Sequence, residues 1–451
     1  MQDVLDRASS RIRSSQMLRV LSVGFLALLL QIPIGMIGDR VAERATRRDE
    51  AVAEVSSKWG NAQVLTGPAL VVPYSYLSPS RNDKGEPVTQ TRNAVFLPER
   101  LHARGAVESE IRQRGIFAIP VYRVDLTVEG EFARPDFAML GIEPTAVDWE
   151  RAHLAIGISD VRAIQHESAV SWNGTSVPFL PGTGGFSEGG PGVHARVGVP
   201  DGQSPIAFSF PLTLNGSRAI SFAPFGQTTV VELESNYPHP SFQGNWLPSE
   251  RTVSDASFTA KWSIPFLGRN FPQAWNAGSM HDAIESSRFG VELIEPVDHY
   301  RMAERSVKYA GLFILLTFAA VWLIEVLASV RVHPIQYLML GSALCLFYLL
   351  ELSLSEHLGF LISYAAASVS IIAMVAAYCA VILHRVSRAA VVGSGVALLY
   401  AYLYTLLMNE DYALLAGSVG LFLILAAIMY ATRHVDWYAI GDPRGRAASG
   451  K

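Results

Sequence analysis

Four residues in the apolar C-terminal third of the sequence have the types and spacing to do chemistry. Glu325 lies about a turn and a half before the end of one apolar stretch, and Glu351 lies near the end of the next. Glu356 and His357 follow Glu351 closely. A charge at the centre of a bilayer costs roughly 2.5–3.5 kcal/mol on insertion scales, so ionisable groups in such stretches indicate ion or proton handling.

A structural interpretation competes with the functional one for each carboxyl group. The cost of a charge falls towards the ends of a membrane helix, where a long side chain can extend its charged group into water. That behaviour is the simpler expectation for Glu325 and Glu351. The functional hypothesis is that Glu351, Glu356 and His357 form a polar cluster that docks an external domain or relays a proton.

Glu325 has a separate functional hypothesis. Arg385 and Arg388 follow a later apolar stretch, on the side of the membrane that Glu325 approaches. An ion pair with either arginine would neutralise the carboxylate. The sequence therefore predicts a pair between Glu325 and one of these two residues.

Other catalytic and cofactor-binding patterns are absent from the sequence. It has no G-x-S-x-G nucleophile elbow and no phosphate-binding G-x-x-x-x-G-K. Its two cysteines, Cys345 and Cys379, lie inside apolar stretches. The histidines of the polar region lack metal-ligand spacing: His102, His153, His166, His194, His239, His281 and His299. We therefore expect a protein that is not an enzyme and has no metal or cofactor.

Tryptophans of the polar region could stack on sugars. Six lie there: Trp59, Trp149, Trp172, Trp246, Trp262 and Trp275. Core packing explains most tryptophans more simply. Trp262 lies in an alternating strand pattern and is predicted to be core, whereas Trp246 is predicted to be the most exposed.

Six apolar stretches set the architecture of the whole chain. They cover residues 18–38, 309–330, 335–354, 358–383, 390–408 and 412–432. A bilayer core about 30 Å thick needs about 20 apolar residues in a helix, so each stretch is long enough to span a membrane. The first is predicted to be an uncleaved anchor that is kinked at Pro33. The net charge of −4 gives no reason to expect nucleic acid as a partner.

The charges of the short connections predict the orientation. His384, Arg385 and Arg388 lie in one connection, whereas Glu410 and Asp411 lie in a connection on the opposite side. Short cytoplasmic loops carry an excess of Lys and Arg. Both termini, 1–17 and 433–451, are therefore predicted to be cytoplasmic, and 39–306 to be external. Arginines at 40, 44, 47 and 48 oppose this assignment, but acidic residues lie among them.

The polar region reads as a β-rich domain behind a stalk helix. Residues 39–59 continue the first helix and place Val52, Val55 and Trp59 on one face, for packing on the domain or for contact with lipid head groups. After Gly60 the apolar pattern alternates with a period of two, as at 120–132, 228–234 and 257–264. The dipeptides Asn173-Gly174 and Asn215-Gly216 predict type I′ hairpin turns.

The fold predicted by these patterns is an antiparallel, two-sheet β-sandwich joined to a five-helix membrane bundle at 307–432. Residues 78–90 are predicted to be an exposed loop. Residues 181–192 are rich in glycine and are predicted to be a second loop, with a ligand-gating lid as the alternative.

Several ordered motifs resemble the CreD family of bacterial inner-membrane proteins. The motifs are RRDEAV (47–52), SSKWG (56–60), RGIF (114–117), NYPHPSF (236–242), PVDHY (296–300), HPIQY (333–337), LSLSEH (352–357) and EDYAL (410–414). The resemblance implies an inner-membrane protein of cell-envelope integrity, associated with envelope stress and β-lactam responses. It carries no catalytic residue over to this chain.

The predicted architecture and the family resemblance together give the expected function. We expect the external domain to bind an envelope protein, lipid or glycan while the bundle anchors it in the bilayer. The alternative is a transporter or lipid-handling protein that uses Glu325 and Glu351.

Overall fold

The computed structural model describes residues 16–81, 87–141, 143, 145–186, 190–199, 205–276, 280–294, 298–328, 330, 332–409 and 411–433. The chain divides into two compact units. One unit is Asp49–Pro296, here called the β domain, and the other comprises the segments on either side of it, here called the bundle.

Six helices of the described residues are long and apolar enough to cross a membrane, as the sequence predicts. The α-helices of the described residues, spans or not, are eight: α1 (Gln16–Leu29), α2 (Gln31–Trp59), α3 (His281–Glu285), α4 (His299–Ala328), α5 (Pro334–Leu358), α6 (Phe360–Ile382), α7 (Val386–Met408) and α8 (Ala413–Thr432). The apolar part of α1 and α2 forms the first span, and α4–α8 form the other five.

The first span is interrupted at Leu30, one turn before the kink expected at Pro33. Proline has no backbone N–H, so Pro33 leaves the carbonyl of Leu29, four residues earlier, without its helical donor. Helical bonding resumes with the N–H of Ile34, which donates to the carbonyl of Leu30 at 3.3 Å. The interruption at Leu30 therefore lies next to the carbonyl of Leu29, which would have accepted the missing hydrogen bond from residue 33.

Aromatic rings and small residues pack the bundle core. The rings of Phe347 and Tyr400 stack with centroids 4.3 Å apart, and the hydroxyl of Tyr364 donates to the carbonyl of Tyr400 at 2.6 Å. A Cβ atom on Gly341 would lie 2.1 Å from a methyl carbon of Leu30, so glycine permits this close approach. By contrast, α8 has no buried residue.

The β domain is a two-sheet sandwich, as predicted. One sheet contains β1 (Gln63–Arg81), β2 (Pro87–Phe96), β5 (Ala146–Val147), β6 (His153–Ile158), β9 (Leu180–Pro181), β10 (Gly192–Arg196), β12 (Ala219–Phe222), β14 (Pro240–Gly244), β17 (Ala274–Asn276) and β18 (Phe289–Leu293). The other contains β3 (Arg100–Arg114), β4 (Phe117–Phe132), β7 (Ala169–Trp172), β8 (Thr175–Pro178), β11 (Ile206–Ser217), β13 (Thr228–Ser235), β15 (Glu250–Val253) and β16 (Phe258–Pro265).

The second sheet, here called the eight-stranded sheet, has the order β15-β16-β13-β3-β4-β11-β7-β8. Alternating residues of its strands form the core, including the fully buried Trp262. The expectation of purely antiparallel sheets is wrong, because β13 pairs with β3 in parallel and β12 pairs with β1 in parallel. Both parallel pairs join strands that are distant in sequence, which a local alternation pattern cannot reveal.

One predicted hairpin forms and the other does not. Asn173 and Gly174 have positive φ and connect β7 to β8, as a type I′ turn requires. Asn215 and Gly216 instead lie inside β11 and pair with β4. The chain turns at Arg218, whose φ is 63°, and passes into the other sheet as β12. The prediction of a turn at Asn215-Gly216 is therefore wrong.

The two predicted loops contain more regular structure than expected. Residues up to Arg81 and from Pro87 belong to the paired strands β1 and β2, and residues 82–86 lie outside the described residues. In the glycine-rich segment, Thr183 and Phe186 are buried and β10 begins at Gly192, while 187–189 lie outside the described residues.

The end of α2 packs on the β domain, as the stalk prediction states. Ala51 contributes to a small apolar cluster with Ile119 and Val121 of β4. The indole of Trp59 donates to the carbonyl of Tyr122 at 3.1 Å. Ser217 donates its buried hydroxyl to that of Ser56 at 2.8 Å. The helix ends at Trp59, and Gly60 has a φ of 149° that favours glycine.

The hydroxyl pair of Ser56 and Ser217 generates a test of this packing. Alanine at either position leaves a buried hydroxyl without its partner, so each single variant should destabilise the β domain by about 1–3 kcal/mol. The double variant should lose at least about 1 kcal/mol less than the sum of the two single variants. Urea unfolding of the full-length protein, followed by tryptophan fluorescence, measures these values. Additive losses would mean that the two hydroxyls do not interact.

Candidate functional site

Three segments of the bundle that are distant in sequence meet in a cluster of charges, here called the rim cluster: Arg44, Arg48, Asp298, Tyr300 and Glu356. The guanidinium of Arg48 lies 2.7 Å from the carboxylate of Asp298. Tyr300 donates its hydroxyl to Glu356 at 3.0 Å, and Arg44 lies 3.7 Å from the same carboxylate oxygen. The rim cluster therefore joins α2, the start of α4 and the last turns of α5.

Asp298 has two roles in the rim cluster. Its carboxylate accepts hydrogen bonds from the backbone N–H groups of Tyr300 and Arg301, at 3.0 and 3.2 Å, and so caps the first turn of α4. Burial raises the pKa of Asp298, but the bond from Arg48 and the backbone donors outweigh it and hold the pKa below its usual value. Asp298 is therefore negatively charged at neutral pH.

Glu351 lies deeper in the bundle and is 1% exposed. The hydroxyl of Ser306, on α4, donates to its Oε2 atom at 2.7 Å. Among the residues described, no group lies within hydrogen-bonding distance of its Oε1 atom. The expectation that Glu351 extends its charged group into water is therefore wrong, because its carboxyl group is enclosed by neighbouring helices.

Glu325 is also buried, with 6% exposure, and has a different partner from the one predicted. The hydroxyl of Tyr337, on α5, donates to its Oε2 atom at 3.0 Å. Arg388 donates to the carbonyl of Leu383. The extended position expected for Glu325 is therefore wrong, and its ion pair with Arg385 or Arg388 stays a prediction.

The structure only partly assembles the predicted cluster of Glu351, Glu356 and His357. Glu356 belongs to the rim cluster, Glu351 lies five residues earlier on α5, and His357 is exposed. Five residues correspond to about 7.5 Å along a helix axis. The two carboxyl groups therefore lie at different depths of the same bundle.

The sequence analysis missed the residues that hold these carboxyl groups. Arg48 and the pair Asp298 and Tyr300 lie in two of the motifs that carry the family resemblance, RRDEAV and PVDHY. The sequence did indicate that these motifs could meet, because RRDEAV follows the first membrane span and PVDHY precedes the second, on the same side of the membrane. Ser306 gave no comparable signal, because one serine in a helix is common.

The outer face of the eight-stranded sheet has two neighbouring clefts of about 760 and 520 Å³. Both are lined by Glu232 and Lys261, which form an ion pair at 3.0 Å. Arg104 lies 3.4 Å from Glu129 and 3.7 Å from Glu232. This surface, here called the charged face, offers both signs of charge side by side.

The six tryptophans of the β domain do not form an exposed platform. Trp172, Trp262 and Trp275 are buried, and Trp59, Trp149 and Trp246 are partly buried. Trp246 packs its ring edge-on against Phe289, with centroids 6.2 Å apart. Trp246, predicted to be the most exposed, is partly buried like Trp59 and Trp149, and stacking on sugars gains no support from these rings.

Two histidines that are distant in sequence lie together in the β domain. The rings of His153 and His194 are 5.5 Å apart, and burial lowers the pKa of His153 below its usual value. No group of three or more His, Cys, Asp or Glu residues with metal-site geometry is found in the described part of the chain.

The comparisons with known proteins match nearly the whole chain. The family model described as Inner membrane protein CreD matches residues 15–438. The Inner membrane protein CreD of Escherichia coli (strain K12) is 33% identical over 427 residues, which cover 93% of this chain and 93% of that relative. The match includes both the β domain and the bundle.

The rim cluster gives a test by double-mutant cycle. Arg48 and Asp298 are 22% and 24% exposed, between the usual values for surface and buried pairs. Arg48→Ala and Asp298→Ala should each destabilise the bundle, with a coupling of about 1 kcal/mol between them. Unfolding of the full-length protein by dodecyl sulfate in mixed micelles measures both quantities.

Lys308→Ala is the matched control, since its pair with Glu304 is exposed on both sides. We expect a loss below about 0.5 kcal/mol for this variant. A coupling energy between Arg48 and Asp298 below about 0.5 kcal/mol, the value expected for an exposed pair, would contradict the structural role of the rim cluster.

Proposed function

The chain belongs to the CreD family of inner membrane proteins, and on that premise we propose that it supports the integrity of the bacterial cell envelope without being an enzyme. The family resemblance supports the envelope role. In this proposal the bundle anchors the protein in the inner membrane, and the β domain binds a component of the envelope.

The orientation is part of the proposal. Positive residues cluster between α6 and the first turn of α7, at His384, Arg385 and Arg388, whereas the connection before α8 carries Asp411. Because short cytoplasmic loops carry the excess of Lys and Arg, this difference supports cytoplasmic termini. The β domain would then lie in the periplasm.

The charged face is the observation that carries the binding role. Its two clefts share Glu232 and Lys261, and together they form one polar surface on a single sheet. A surface with alternating charges discriminates among partners through the arrangement of their charges. It therefore favours an envelope protein or a zwitterionic lipid head group over a neutral glycan, which would need exposed aromatic rings.

A second candidate function is transport of a solute or lipid through the bundle. The buried carboxyl groups of Glu325 and Glu351 favour it, because ionisable groups inside membrane bundles often mark transport pathways. This candidate requires the carboxyl groups for function. The binding role requires the charged face instead.

One set of variants separates the two candidates. In a deletion strain, the double variant Arg104→Glu, Lys261→Glu should fail to restore growth under envelope stress and should retain at most about a tenth of the wild-type cross-linked partner, because both replacements reverse charges in the clefts. Glu325→Gln and Glu351→Gln should restore growth fully. Growth with detergent in the medium and cross-linking of the full-length protein in cells measure these outcomes.

Arg151→Glu controls for charge reversal as such. Arg151 is exposed and pairs with Asp148, away from the charged face. All variants are compared at equal amounts in the membrane. If the Arg104 and Lys261 variant restores growth and both glutamine variants fail, the binding role is rejected in favour of transport.

A further inference from the structure

The carboxyl group of Glu351 has a single hydrogen-bond partner. Its Oε2 atom accepts one bond, from Ser306 at 2.7 Å, and within the described residues its Oε1 atom has no hydrogen-bond partner. A carboxylate has acceptor sites on both oxygen atoms, whereas a protonated carboxyl group carries an O–H on one of them. Both forms leave Oε1 without a partner, but the protonated form does so without an unbalanced charge in a buried place.

Among the described residues, no positive charge balances an anion at Glu351. Ser306 donates to it from α4, and Tyr348, on its own helix, interacts with it electrostatically, as do Tyr364 of α6 and Tyr400 of α7. Arg305, next to Ser306 in sequence, donates to the carbonyls of Leu406 and Leu407 at the end of α7. An ion without a partner is unfavourable in such a place, and binding a proton removes the charge.

A metal cation does not fit this site. The described residues around Glu351 offer one carboxylate and several hydroxyl groups, and the described chain has no cluster of three or more His, Cys, Asp or Glu residues for a metal. Hard cations such as Mg²⁺ and Ca²⁺ take six or more oxygen ligands and favour carboxylates. A proton needs only one oxygen atom.

Two polar residues follow Glu351 on α5. Ser355 lies four residues after Glu351 on the same face and is 2% exposed, but its hydroxyl donates to the carbonyl of Leu352 at 2.8 Å. Glu356 follows it and accepts the hydroxyl of Tyr300. The hydrogen bonds of the described residues therefore form no continuous path between the two carboxyl groups.

We propose that Glu351 is a proton-binding site of the bundle. The step is a proton transfer: the O–H bond of Glu351 breaks, and the proton passes to water. Ser306 is a positioning residue that stabilises the anion while the proton is away. This site goes beyond the proposed envelope function and does not depend on it.

Carbodiimide labelling of the full-length protein in detergent tests the proposal. Dicyclohexylcarbodiimide adds to a protonated carboxyl group in an apolar place and leaves a stable adduct, which peptide mass spectrometry locates. We expect an adduct on Glu351 that falls as the pH rises, following the titration of one proton. Ser306→Ala should move this curve to higher pH, because the anion loses its donor.

Glu351→Gln and an infrared measurement complete the test. The glutamine retains the shape of the side chain and an acceptor for Ser306, so we expect folded protein that lacks the adduct. Infrared difference spectra between high and low pH should show the band of a protonated carboxyl group, and this band should disappear in Glu351→Gln. Glu325→Gln is the control at the other buried glutamate of the bundle, and it should retain both signals.

The proposal is overturned if neither the adduct nor the infrared band depends on Glu351. It is also overturned if the labelling of Glu351 is the same at all pH values from about 5 to 9, the range over which an exchanging carboxyl group in an apolar site titrates. Loss of envelope function in the charged-face variant leaves both measurements unchanged, so the two proposals fail independently.

Discussion

The absence of water in the bilayer core is the constraint on which the architecture of this chain depends. Every backbone N–H and C=O group in that layer must bond within the protein, and a helix satisfies this requirement within one segment. The six spans are therefore helices, and the interruption of the first span is limited to Leu30, next to the carbonyl of Leu29 for which Pro33 has no N–H. The β domain retains exposed strand edges and a charged outer face, which need water.

The same constraint explains how the polar side chains of the bundle are arranged. The charges of the rim cluster lie at the ends of the helices and have partners, as Arg48 has in Asp298. Glu325 and Glu351 are deeper, and each receives a hydrogen bond from a hydroxyl group, that of Tyr337 and that of Ser306 respectively. A buried ion would need both a partner and further hydrogen bonds, whereas a neutral acid needs fewer. The lower requirement of a neutral acid for partners is the reason that Glu351 is proposed to bind a proton.

The sequence predicts those parts of the structure that depend on local patterns. Apolar length reveals the spans, and the alternation of apolar residues reveals strands such as β4. The two Asn-Gly dipeptides show the limit: one forms a turn, but Gly216 stays in β11 because the ring of Tyr122 and the neighbouring strand occupy its surroundings. The partners of Glu325 and Glu351 depend on helix packing between distant segments, and no spacing in the sequence encodes it.

Labelling of an introduced cysteine tests the central proposal, that the β domain lies outside the cytoplasm. The native cysteines are buried, and Leu267 of the β domain is 91% exposed. In intact cells, Leu267→Cys should react with a small thiol reagent that does not cross the inner membrane, whereas Val386→Cys, at the start of α7, should react only after lysis. The reverse pattern would place the β domain in the cytoplasm and contradict the account.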